Sequence, residues 1–65
     1  MVDIEVALET RIDLYRKAAE RTRRSAFMDD EYGYHQSAQL NKGQQFVYEF
    51  IVDDLEKLLA QIKEG

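Results

Sequence analysis

The chain contains no cysteine, no proline and no tryptophan, and it has one histidine and three glycines in 65 residues. Without cysteine there are no disulfides and no thiolate metal sites. With His35 alone there is no histidine pair to hold a metal within one chain. No cofactor is expected. No apolar run approaches the roughly 18 residues needed to cross a bilayer. The start, Met-Val-Asp-Ile-Glu, lacks the basic region and apolar stretch of a secretory signal. A cytoplasmic location without membrane contact is therefore the expectation, and the lack of cysteine agrees with it. A chain this short buries a limited fraction of its surface, and disulfides and metals are not available to supplement the core. Association with another chain is the remaining source of buried area.

Two apolar series fill most of the sequence. The first runs Ile4, Leu8, Ile12, Tyr15, Ala19, Thr22, Ala26 and the second runs Leu40, Val47, Ile51, Leu55, Leu58, Ile62. Steps of three, four and their sums keep each series on one side of an α-helix. Asp3 is placed to cap the first helix, with Glu5 and Glu9 near its positive end and Arg21, Arg23 and Arg24 near its negative end. Asp13 with Lys17, and Glu20 with Arg24, are i,i+4 pairs in the favourable order. From Asp29 to Ser37 the apolar period breaks, as in a connection. The expected architecture is all-α, one domain over residues 1–65. It has a first helix over about 3–27, a connection over about 28–36 and a second helix over about 37–63. These pack as an antiparallel hairpin that pairs with a second copy into a four-helix bundle.

Equal helical rise in such a hairpin pairs positions whose numbers sum to about 65. That register sets Ala19 against Phe46 and Thr22 against Gly43. It also sets Arg11 level with Asp54, the one charge inside the apolar arc of the second helix. A carboxylate partly removed from water needs a cation, so an Arg11–Asp54 ion pair, within a chain or across a dimer, is expected. The arc itself is too wide for one neighbouring helix. Phe46, Tyr48, Phe50 and Val52 form a surplus assigned to an interface, as are Tyr32 and Tyr34 beside the acidic run, since exposed aromatics anchor partners.

The net charge of −4 weighs against nucleic acid as the default partner. The charge is uneven. Arg11, Arg16, Lys17, Arg21, Arg23 and Arg24 stand among only two acids in their stretch, whereas the second half is mildly acidic. Such a stripe either binds phosphates or is a solvated face neutralised by Asp13, Glu20 and the acids of a neighbour. No Gly-rich phosphate loop and no Ser/His/acid set on a rigid frame is present, so catalysis is not expected.

The run Ser37-Ala38-Gln39-Leu40-Asn41 resembles the Ser-Gln-Glu-Leu-Asp signature of small helical-hairpin phosphatases. Those proteins act on aspartyl-phosphate response regulators of spore-forming bacteria. The resemblance covers five residues and the hairpin layout. Where that family has its acidic residue this chain has Asn41, and Lys42-Gly43-Gln44 differ as well. It implies an alternative activity, assisted loss of phosphate from a receiver domain. The leading expectation is a non-catalytic regulatory module, of the kind that phages and bacteria encode, that binds itself and a larger protein. Phosphatase and nucleic-acid binder stand behind it.

Overall fold

A computed structural model describes residues 3–65. The protein is all-helical, with α1 spanning Ile4–Glu31 and α2 spanning His35–Glu64, packed against each other as a hairpin. Asp3 caps α1 as its position suggests, its carboxylate accepting from the Glu5 N–H at 2.9 Å.

The connection is shorter than its composition suggests. Between the helices only Tyr32, Gly33 and Tyr34 lie outside helix; residues 28–31 continue α1 and residues 35–36 open α2. The chain reverses through Gly33 at φ +81°, a conformation that costs residues with a Cβ. The Gly33 N–H bonds the Asp30 carbonyl at 3.2 Å and the Tyr34 N–H bonds the Asp29 carbonyl at 2.7 Å. This is the Schellman closure, which satisfies the last free carbonyls of a helix. The two acids that read as loop residues instead brace the neck of the hairpin. Asp29 accepts from Ser37 at 2.6 Å and Asn41 at 2.8 Å, and Asp30 accepts from Lys42 at 2.9 Å. The small Ala26 and Ala38, both buried, let the helices converge there.

The seam between the helices follows heptads. On α1, Ile12, Ala19 and Ala26 step by seven, with Leu8, Tyr15 and Thr22 between them. On α2, Ala38, Gln45, Val52 and Leu59 step by seven, with Asn41, Tyr48 and Leu55 between them. These are the a and d positions of an antiparallel coiled coil. The core cluster is Ile12, Val52 and Leu59, with Leu8, Tyr15 and Leu55 packed on it. Tyr15 and Tyr48 approach with ring centroids 6.1 Å apart.

The register agrees with the expected one to within about two residues, a few ångströms of helical rise, but the rotation of α2 does not. Most of the expected second-helix series faces away from α1. Leu40, Val47 and Leu58 are exposed, and Val52 lies in the core instead of the surplus. Two apolar stripes run side by side on α2, about a quarter-turn apart, and the wider run of large side chains is the one left open. The pairing of Ala19 with Phe46 does not occur, because Phe46 is 76% exposed. Gly43 is not at a close approach either, since a Cβ built on it would meet nothing within 4 Å.

Candidate interaction surface

The two flanks of the seam differ completely in chemistry. On one flank the e positions of α1 are Glu9, Arg16, Arg23 and Asp30, and those of α2, read in reverse, are Lys63, Glu56, Glu49 and Lys42. Opposite charges meet at every level. Three of these pairs close as ion pairs between the helices. They are Glu9 with Lys63 at 3.5 Å, Arg16 with Glu56, and Asp30 with Lys42 at 2.9 Å. At the fourth level Arg23 turns to Glu20 at 2.6 Å, and Glu49 accepts from Gln45 at 2.9 Å.

On the opposite flank the g positions carry no such pairs. α1 presents Ile4, Arg11, Ala18 and Ser25 there, and α2 presents Gln44, Ile51 and Leu58. The adjoining c positions add Ala7, Leu14, Arg21 and Met28 from α1, and Leu40, Val47, Asp54 and Gln61 from α2, while Ile62 borders the seam. In an antiparallel pair both g flanks point to the same side, so these residues form one face of the hairpin. Ile4, Leu14, Leu40, Val47 and Leu58 on it are each about half exposed or more. A shallow groove runs along it past Leu40, Gly43, Val47 and Tyr48. Gly43, which has no side chain, leaves open space between the larger groups.

The residues expected at an interface are divided by this geometry. Phe46 and Phe50 form an exposed ridge on the outer side of α2, one turn apart. Tyr32 and Tyr34 are exposed at the tip, ring centroids 6.5 Å apart. Tyr48 is half-buried against Tyr15, and Val52 is consumed by the intrachain core. The helical spacing of Leu40, Val47, Ile51, Leu58 and Ile62 suits an intrachain seam, yet these residues lie on the open face or at its border. The charges at Lys42, Glu49, Glu56 and Lys63, complementary to Asp30, Arg23, Arg16 and Glu9, are the signal that separates the two stripes.

Arg11 and Asp54 do not pair within the chain. Among the described residues neither takes part in an ion pair, and both are exposed. Arg11 stands at a g position on the open face. Asp54 stands at a c position on its outer edge, turned away from α1 by the rotation of α2. They share a level but are separated by the width of the hairpin.

The basic residues of α1 are largely engaged locally. Lys17 pairs with Asp13 at 3.0 Å, and Arg23 and Arg24 both bind Glu20. The hydrogen bond from Arg23, helped by the charges of Arg23 and Arg24, holds the Glu20 carboxyl at a pKa of about 2, against the opposing effect of burial. The Lys42 ammonium likewise holds Asp30 below the usual carboxylate range.

In the run resembling the phosphatase signature, Ser37 and Asn41 both direct their side chains onto Asp29 and Ala38 is buried, which leaves Gln39 and Leu40 outward. Among the described residues no group of three or more histidine or carboxylate side chains is arranged to hold a metal ion. No described helix is long and apolar enough to cross a membrane. Comparison with protein-family models, with curated proteins and with solved structures found no match.

Proposed function

We propose that this chain is a non-catalytic interaction module. It works as a homodimer in which two hairpins close into an antiparallel four-helix bundle, and it docks on a larger protein as a small phage or bacterial regulator does. The observation that carries this reading is the contrast between the flanks. One is bridged by ion pairs within the chain, and the other is an exposed face rich in large apolar side chains, Ile4, Leu14, Leu40, Val47 and Leu58. The surface area supports the same reading. The hairpin measures 48 × 17 × 12 Å and exposes 5312 Å². A folded monomer of 7.7 kDa exposes about 4,300 Å². The excess, roughly 1,000 Å², is of the size that one partner buries in a standard interface.

Covering the g face leaves Phe46 and Phe50 outside, at 76% and 69% exposure. Two phenylalanines one turn apart suit the apolar anchors by which helices enter grooves on other proteins. This ridge is the proposed contact with the larger partner, and Tyr32 and Tyr34 at the tip extend the aromatic surface.

Analytical sedimentation at micromolar concentration tests the dimer, with about twice the chain mass expected. A fully folded species of single mass would overturn the reading. Phe46→Ser with Phe50→Ser should leave that mass unchanged while abolishing photo-cross-linking to host protein, and unchanged cross-linking would remove the ridge from the account.

A further inference from the structure

We propose that the occupant of the apolar face is a second copy of this chain, related by a two-fold axis parallel to the long axis of the hairpin. Each α1 then lies over α2 of the partner, and both hairpin tips lie at the same end. The inference rests on the dimeric reading above and adds its topology.

Two arrangements bury this face symmetrically. An axis along the bundle stacks α1 on α2, whereas an axis across the bundle stacks α1 on α1 and α2 on α2. The two helices contribute unlike side chains. Along the inner side of the face α1 brings small groups at the middle and tip, Ala18, Thr22 and Ser25, with Leu14 and Arg21 on its outer edge. α2 brings large ones, Leu40, Val47, Ile51 and Leu58. With the axis along the bundle, residues meet at their own level, so Ala18 receives Val47 and Ile51 of the partner subunit, and Ser25 receives Leu40 of the partner subunit. Large groups fill the space that small groups leave, as close packing requires. With the axis across the bundle, Ala18 meets its own copy and leaves a void, while the large groups of α2 crowd one another.

Charge selects the same arrangement. Arg11 is the charged residue among the g positions of this face, and within its own chain it has no ion-pair partner among the described residues. At its level α2 carries Asp54, on the outer edge of the same face. With the axis along the bundle Arg11 comes over α2 of the second copy at that level, within reach of the partner's Asp54. With the axis across the bundle the opposite residue is Ser25, and Arg11 is covered without a counter-charge, which is costly. The ion pair absent within the chain is thereby supplied between chains.

The test uses the absence of cysteine. Gln36→Cys, near the tip, gives one spin-label site per chain, and pulsed dipolar spectroscopy measures the distance between labels in the dimer. Tips at one end give about 20–30 Å, and tips at opposite ends of a 48 Å hairpin give about 40 Å or more. A second measurement uses charge exchange. Arg11→Glu should weaken dimerisation about tenfold, and Arg11→Glu combined with Asp54→Arg should restore it. A dimer with the long distance, or a charge exchange without rescue, overturns the topology and leaves the dimer standing. A folded monomer in sedimentation overturns the dimer itself.

Discussion

Arg16 of α1 and Glu56 of α2 meet across the hairpin, and the same heptad offset joins Glu9 to Lys63 and Asp30 to Lys42. The pairs therefore form one ladder that sets both the register of the two helices and the rotation of each about its axis. Slipping α2 by one heptad would set Glu56 against Glu9 and Lys42 against Arg23, and would leave Lys63 beyond the start of α1. The ladder lies on surface side chains, so each rung is worth little in energy. Its rungs close when the stripe of Ala38, Val52 and Leu59 is the one that faces α1.

Charge reversal measures that role. Arg16→Glu should destabilise the hairpin by opposing Glu56, and Arg16→Glu with Glu56→Arg should recover most of the loss. A double-mutant cycle by thermal melting should give a coupling of a few tenths of a kcal/mol, shrinking in high salt. Additive effects would mean that the ladder does not hold the register.

The rotation of α2 predicts where truncation hurts. Leu59→Ala, in the core, should cost about 2–4 kcal/mol in chemical denaturation. Phe46→Ala, on the outer ridge, should change stability by less than about 0.5 kcal/mol. Equal costs would show that Phe46 packs where Leu59 is placed.

Hairpin architecture, helix type, the Asp3 cap and an approximate register were all legible in the sequence, because periodicity and capping are local. The rotation of α2 was not. Leu40, Val47, Ile51, Leu55, Leu58 and Ile62 make as good a helical stripe as Ala38, Val52 and Leu59, and size favours the wrong one. What decides is pairing across the hairpin, the small Ala26 against Ala38 and the charges at Glu9, Arg16 and Asp30, none visible within one helix. The same rotation moved Val52 from the interface into the core and separated Asp54 from Arg11. The tip reads as a longer loop because Asp29 and Asp30 suit one by type, whereas their bonds to Ser37, Asn41 and Lys42 form only once the chain has turned.

The glycines separate cleanly. Gly43 is in mid-helix with open space at its Cβ, so Gly43→Ala should stabilise the fold by about 1 kcal/mol. Gly33 is at φ +81°, so Gly33→Ala should destabilise by about 1–2 kcal/mol. Melting curves of the two variants should therefore move in opposite directions, and movement in the same direction would contradict the geometry of the turn.

Acid sensitivity follows from Glu20 and Asp30. Their carboxyls have lowered pKa values in the fold, Glu20 at about 2 against an ordinary 4.5. A lowered folded value means that the ionised group stabilises the fold above its unfolded pKa and that this contribution is lost as pH falls through the folded one. Helicity by circular dichroism should accordingly weaken between about pH 4.5 and 2. Glu20→Gln should flatten that decline and lower stability at neutral pH. An unchanged acid limb would show that the Arg23 and Arg24 contacts are not populated in solution.

In the proposed dimer a second copy completes the fold by covering Leu40, Val47, Ile51 and Leu58. Folding and association are then one equilibrium, and stability must depend on protein concentration. Thermal melting followed by circular dichroism from about 1 to 100 µM is the direct measurement. A midpoint that climbs steadily with concentration is expected, and the climb should be lost in Leu58→Glu. A midpoint that stays fixed over that range, with full helicity at the lowest concentration, would contradict it.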